Sequence, residues 1–214
     1  EIAKKLETIF KKKKITVKTN TDAHTIDLND FELVLVCVGR SSRIEGLESL
    51  GIKTGKTGIS VDDYLQTSVP NIYAAGDCTG RLMLAHFASY QGIIAAENIA
   101  SPGNAKKADN TVVPSCIFTA PEIAFVGLNE EQAKLNVSGI KINKFDFLGS
   151  GMARILDEAE GFIKVISEEK TGKILGACII GPRATELISV FGVAMNSGLS
   201  ISALKATIFA HPTL

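Results

Sequence analysis

Few residues in this chain have side chains suited to chemistry. There are three histidines, His24, His86 and His211, and four cysteines, Cys37, Cys78, Cys116 and Cys178. An imidazole moves protons near neutral pH, and a thiolate is the attacking group of disulfide exchange. No two cysteines stand close enough for a CxxC redox pair or a zinc knuckle. No pairing of His, Asp or Glu has an attractive metal-ligand spacing either. Cys37, Cys116 and Cys178 lie in the apolar runs VLVCVG, PSCIF and GACII and read as small buried hydrophobes. Cys78 follows a Gly-Asp turn and is less defined. His24 reads as a surface residue on a short alternating strand. His211 precedes Pro212, which restricts it to extended or turn backbone and so aims its ring; alone, that gives it no assignment.

The most informative stretch is TSVPNIYAAGDCTGRLMLAH, residues 67–86. An apolar segment ends in Gly76-Asp77, and a loop then enters an Ala-rich helix. Open α/β sheets bind ligands at the carboxyl ends of their strands. Gly76 allows a ligand close to the backbone, and Asp77 can accept from sugar-type hydroxyls. Amides from Met83 to His86, at the helix start, offer the positive end of the helix dipole to an electron-rich group. Asp77 reads equally well as a plain helix cap.

Two other stretches imitate nucleotide loops. GSGMAR at 149–154 begins like GxGxxG, but Arg154 stands where the third Gly belongs and no strand–turn–helix frame surrounds it. GIKTGKT at 51–57 has three residues between its glycines where a P-loop needs four, and GISVDD after it is not helical. Both read as turns.

The elements that must position these residues follow from periodicity. Residues 1–13 carry Ile2, Leu6, Ile9 and Phe10 at helical spacing, and Lys11 to Lys14 close that helix as a solvated last turn. Residues 15–19 and 24–28 alternate as a hairpin. FELVLVCVGR predicts a strand buried on both faces of a parallel sheet, and NIYAAGD a second. A helix is expected at 83–100. Pro, Gly, Asn and charge cluster in SPGNAKKADN, residues 101–110, which reads as a domain boundary. Beyond it, strands are expected at 113–118, 123–126, 140–147, 162–167 and 173–180, with a turn at 169–173. Helices are expected at 129–137, capped by Asn129, and at 183–197, ended by Gly198. The fold class is therefore α/β, with incomplete Rossmann-type parts, followed by an α+β domain with an antiparallel sheet.

Composition narrows the function. The chain has 214 residues, 45% apolar and 21% charged, with 23 basic and 23 acidic side chains. That is too apolar for a disordered chain, and a zero net charge disfavours general nucleic-acid binding. No run of about 18 apolar residues exists to span a membrane. The scattered cysteines suit a reducing compartment.

VLVCVGR paired with SVPNIYAAGDC resembles the second flavin-binding signature of the pyridine nucleotide–disulfide oxidoreductases. PSCIFTAPEIAFVGLNEEQAK at 114–134 resembles the start of that family's interface domain. EGFIKVISEEKTGKILGACIIGPRATELI at 160–188 and FAHPTL at 209–214 extend the match, the latter to the start of its His-Pro-Thr motif. The Pro-Glu pair and GPRATELI are of the kind found in the branch that oxidises dihydrolipoamide. The resemblance covers essentially the whole chain.

The resemblance implies that Asp77 hydrogen-bonds the ribityl chain of FAD and that Gly76 lets the cofactor approach. It places Met83, Leu84, Ala85 and His86 along the flavin and Gly39 near NAD. His211, in a cis His-Pro bond, becomes the acid–base between lipoamide and the reactive thiols. It implies residues 1–38 as the last part of a NAD domain, 39–110 as the returning half of a FAD domain and 111–214 as an interface domain short of its end. Implied partners are a second copy, whose histidine serves the first copy's disulfide and flavin, and the lipoyl domains of 2-oxo acid dehydrogenase complexes or the glycine cleavage system. The compartments the resemblance implies are the bacterial cytoplasm or an organellar matrix. The family's CxxxxC and both its GxGxxG motifs are absent from this sequence. The expectation is thus a fragment, beginning at Glu1 and stopping at Leu214, that neither forms NADH nor holds flavin tightly by itself and exposes apolar surface within residues 1–38. The alternatives are a sibling glutathione or mercuric reductase, or a dimerising module without catalysis.

Overall fold

Period-two alternation along residues 115–181 builds a sheet in the computed structural model, which describes residues 1–214, the side chain of Glu48 excepted. In chain order the elements are α1 (Ile2–Lys12), α2 (Ala85–Ala100), β1 (Ser115–Ile117), β2 (Glu122–Gly127), α3 (Glu130–Asn136), β3 (Ile140–Asp146), α4 (Gly151–Ile155), β4 (Phe162–Glu168), β5 (Ile174–Gly181), α5 (Ala184–Asn196) and α6 (Ile201–Ala206). The chain falls into two compact units, residues 1–21 with 111–214, and residues 22–110.

In the first unit the strands lie in the order β1-β2-β5-β4-β3, every pair antiparallel. Successive side chains on a strand point to opposite faces. Ala124, Val126, Val165, Ala177 and Ile179 share one core with Ile188, Phe191 and Ala194 of α5. The intervening Ile123, Phe162 and Ile180 form a second core with Ile2, Leu6 and Ile9 of α1. An isolated 11-residue helix is marginal in water, so this apolar stripe is what holds α1. Ile9, 1% exposed, contributes about 1.5–3 kcal/mol by its burial. Ion pairs frame the contact: Lys12 to Glu160 at 2.7 Å, and Glu1 to Lys144 at 2.7 Å and to Lys164 at 2.9 Å. The Lys144 and Lys164 ammonium groups hold the Glu1 carboxyl down to about 2.

Asn129 caps α3 as expected. Its side chain accepts from Gln132 N at 2.8 Å, and the Gln132 side chain accepts from Asn129 N at 3.0 Å, a capping box. Gly198 follows α5 with φ +65°, the left-handed stop its position predicts. All five strands expected in this half are present. Two short helices, α4 and α6, fall where none was expected. Ser150 and Ser200 cap them, accepting from Ala153 N and Ala203 N. GSGMAR is therefore a serine-capped helical turn, as a non-nucleotide reading requires.

In residues 22–110, Leu65, Ile94 and Ala95 form a small core, joined by Val61, Tyr73, Tyr90 and Ala108. Asn98, 1% exposed, straps the 101–110 segment onto α2. It donates to Tyr64 O at 3.0 Å and Lys106 O at 2.9 Å, and accepts from Lys106 N at 2.7 Å.

Several expected strands do not form. Residues 15–19 run without regular structure, and residues 23–25 and 28–30 are short 3₁₀ turns closed by Asp22 and Asp27 side chains. Those aspartates offer the backbone local acceptors that compete with a hairpin ladder. FELVLVCVG forms no strand; Leu33 is 88% and Val38 91% exposed, and Cys37 is exposed, not buried. A parallel strand is stable only between neighbouring strands and under covering helices. Among the described residues none pairs with this segment. The apolar surface expected within residues 1–38 is thus found in this stretch. NIYAAGD forms one bridge, Tyr73 to Gln66, with Thr67 N bonding Ile72 O and Ala74 N bonding Leu65 O. It folds back locally where a second parallel strand was expected.

Candidate functional site

Gly76, at φ +81°, opens a 3₁₀ turn over Gly76–Thr79 that closes at Gly80, φ +64°. The loop over residues 51–59 packs backbone to backbone against it. A Cβ on Gly58 would lie 2.3 Å from Cys78 O, and one on Gly80 would lie 2.0 Å from Thr57 O. Only glycine at both positions allows Ile59 N to bond Cys78 O at 2.8 Å. GIKTGKTG is a backbone clasp for this turn and not a phosphate loop. Ser42 Oγ stands 2.6 Å from both Thr57 O and Asp77 O, so its proton serves either. Thr79 Oγ1 donates to Gly76 O at 2.8 Å.

These bonds engage the carbonyls of Gly76, Asp77 and Cys78 and leave the Asp77 carboxylate at the surface. Arg40 Nη1 lies 3.7 Å from Asp77 Oδ2, and Arg40 Nη2 donates to the Met83 carbonyl. The pair is solvent-exposed, so its worth is about 0–1 kcal/mol and it yields readily to another partner. Leu84 is the N-cap of α2 and offers no side-chain acceptor to the first-turn amides. Met83 and Leu84 are half-buried; Ala85 and His86 are exposed. Gly39, φ +112°, has open space around it.

His211 belongs to the other unit, in the irregular segment after α6. It is exposed and joined to Pro212 by a cis bond. Thr213 Oγ1 donates to Ala210 O at 2.7 Å, closing a turn around the histidine. Leu214 packs against the core beside α5 and tethers that turn. The expected residues thus fall into two sets: Gly39, Gly76, Asp77 and Met83 to His86 in one unit, and His211 in the other.

The cysteines are unpaired. Burial pushes the Cys116 thiol up, with Glu122 and Glu186 adding to the effect. Burial also raises Cys178, against an opposing pull from Lys164. Neither is a ready nucleophile, because the thiolate is the reactive form. Among the described residues no group of His, Cys, Asp and Glu could hold a metal ion.

The Asp77 turn and the uncapped start of α2 suit a flavin nucleotide. One offers an acceptor for polyol hydroxyls, the other a helix N-terminus for an electron-rich ring edge. Gly39, the residue expected near a nicotinamide dinucleotide, presents open backbone and no side-chain donor of its own.

The sequence reading did not single out Arg40, Ser42 or Gln91. Gln91 Oε1 accepts from Gly76 N at 2.8 Å from within α2. Its signal was a polar side chain at helical spacing from Phe87, Ile94 and Ala95, on the face of α2 that also carries Asn98. The structure also explains why the Pro-Glu and GPRATELI stretches go together. Glu122 Oε2 on β2 accepts from Thr185 N at 3.0 Å and Thr185 Oγ1 at 2.6 Å, capping α5 from 63 residues away.

The chain matches known proteins along most of its length. The family profile described as Pyridine nucleotide-disulphide oxidoreductase matches residues 1–92, and that of the family's dimerisation domain matches residues 113–214. The chain is 42% identical over 212 residues to dihydrolipoyl dehydrogenase of Chlamydia trachomatis, covering 98% of this chain and 44% of that protein. It is 39% identical over 236 residues to dihydrolipoyl dehydrogenase of Bacillus subtilis, covering 100% of this chain and 49% of that protein. The chain therefore spans about half the length of the curated relatives it matches. Among solved structures it is similar to the HOCl-induced flavoprotein disulfide reductase RclA of Escherichia coli, with a TM-score of 0.76 and 28% identity over 83% of this chain and 41% of that one. It is also similar to LpdA of Mycobacterium tuberculosis, at 0.72 and 31% over 78% of this chain and 37% of that one. With both profiles matched in order and relatives near 40% identity, the chain belongs to the pyridine nucleotide–disulphide oxidoreductase family.

Proposed function

We propose that this chain serves as the C-terminal half of a flavoprotein that oxidises dihydrolipoamide with NAD, as a homodimer. The observation that carries the reading is the Gly76–Asp77 turn, with its backbone internally bonded and its carboxylate outward beside the uncapped start of α2. In this reading residues 1–38 complete a NAD domain, 39–110 a FAD domain and 111–214 form the interface. The matched dimerisation profile supports pairing with a second copy. The relatives' name supports lipoyl domains of 2-oxo acid dehydrogenase complexes or the glycine cleavage system as partners, and bacterial relatives support a cytoplasmic setting. No helix among the described residues is long and apolar enough to cross a membrane.

The residues then act as follows. Asp77 accepts from the ribityl hydroxyls, trading its weak contact with Arg40 for them. Met83 and Leu84 cover the flavin with apolar surface, and the amides at Ala85 and His86 face its electron-rich edge. When bound, FAD supplies the two-electron relay between thiols and nicotinamide. His211 takes a proton from a dihydrolipoamide thiol at a ring nitrogen, generating the thiolate that exchanges with a disulfide. Gly39 lies near the nicotinamide dinucleotide, but no step is assigned to it. The redox disulfide is not contributed by Cys37, Cys78, Cys116 or Cys178.

The test is to purify the full-length protein that carries this chain and follow NADH formation from dihydrolipoamide. The expected result is a yellow protein active with dihydrolipoamide and inactive with glutathione. The 214-residue chain alone is expected to show neither flavin nor turnover. Activity with glutathione instead would favour the sibling-reductase reading, which the likeness to RclA also supports.

A further inference from the structure

The flavoprotein reading needs two elements held in register, the Gly76–Asp77 turn and the first turn of α2. We propose that Gln91 is the positioning residue that sets this register, an inference that rests on that reading. Gln91 is 0% exposed on α2. Its Oε1 accepts from Gly76 N at 2.8 Å. A backbone N–H can only donate, so this contact fixes which way the amide faces. Nε2 is left buried with no partner among the described residues. An apolar side chain would fill the same helix face without an unmatched donor, so the amide is useful for what its oxygen does.

Three observations make that oxygen a register pin. Gly76 is in the left-handed region, and a Cβ there would lie 3.0 Å from Ala88 Cβ, so the turn sits directly on α2. Ala88 and Gln91 are three residues apart and share a helix face. The Gly76 carbonyl is already taken by Thr79 Oγ1, so its N–H is the remaining main-chain group by which the helix can grip it. Both polar groups of Gly76 then point inward, and Asp77 alone carries the outward chemistry. Sliding α2 by even part of a turn would break the Gln91 contact and move Met83 to His86 relative to Asp77.

The test compares Gln91→Met, which keeps length and loses the acceptor, with Gln91→Glu, which keeps an acceptor oxygen. In the full-length holoprotein, Gln91→Met is expected to weaken FAD binding about tenfold and to shift the visible flavin bands, measured well below the melting temperature. Gln91→Glu is expected to restore affinity to within about twofold. Wild-type affinity and spectrum in Gln91→Met, or a Gln91→Glu protein as impaired as the Met variant, would overturn the proposal. The 214-residue chain gives an arm independent of flavin. Amide exchange at Gly76 and Asp77 should quicken in Gln91→Met and not in Gln91→Glu, and unchanged exchange in the Met variant would overturn the register pin. A wild-type full-length protein without flavin would refute the flavoprotein reading, while the exchange result would still decide Gln91.

Discussion

At the residue scale, two partly buried polar contacts carry more than their surroundings suggest. Glu122 reaches across the sheet to cap α5, a job usually done by a Ser, Thr, Asp or Asn next to the helix. Replacing it with Ala should destabilise the sheet unit by about 1–2 kcal/mol, seen as a lower denaturant midpoint with an unchanged slope. Asn98 both donates and accepts, so its carboxylate analogue cannot replace it. Asn98→Asp should cost about 1–3 kcal/mol or more, because two carbonyls lose their donor in a buried place, and proteolysis should then open the 101–110 segment first. Neither role could be read from sequence. Glu122 and Thr185 are 63 residues apart, and only the β2–β5 register brings them together. Asp77 was legible because a Gly-Asp turn before a helix is a local pattern; its clasp by Ser42 and residues 51–59 was not.

At the element scale, α1 is held by an apolar stripe and by a carboxylate between two lysines. The Glu1 carboxyl falls from 4.5 to about 2 on folding. A depressed acid contributes stability that is present above its unfolded value and lost as pH falls through its folded one. The contribution should therefore fade between about pH 4.5 and 2. Glu160, lowered by Lys12, and Glu130, lowered by Lys134 and Lys164, move in the same direction. Protection of the Ile9 amide, relative to its intrinsic exchange rate at each pH, should fall over that window. Because Glu1 is partly exposed, the effect should shrink in high salt. Periodicity revealed α1, α2, α3, α5 and all five strands, because each packs against or pairs with a partner that the chain itself supplies. It failed at 31–38 and 71–77, where the expected parallel strands needed partners beyond their own reach, and at 15–28, where Asp22 and Asp27 bind the local backbone in place of a hairpin ladder. Short helices α4 and α6 escaped because a five- or six-residue helix is too brief to show a period.

At the scale of the whole molecule, the exposed run over residues 31–38 is the feature least like a finished surface. Leu33, Leu35, Val36 and Val38 all face solvent. Contiguous apolar surface of this kind promotes association. Replacing Leu33 and Leu35 with Ser should reduce concentration-dependent light scattering without lowering the melting temperature of the sheet unit. Limited proteolysis should cut within 15–45 before it cuts the sheet. The two candidate chemistries also divide at this scale, with the Asp77 turn in one unit and His211 in the other. The measurement that tests their joint service most directly is made on the full-length protein, recording its flavin spectrum and NADH formation from dihydrolipoamide before and after His211→Gln. The prediction is that flavin is retained and turnover falls by roughly 10²–10⁴-fold, the usual share of a general acid–base. Undiminished turnover in His211→Gln, or a wild-type protein without flavin, would contradict the account.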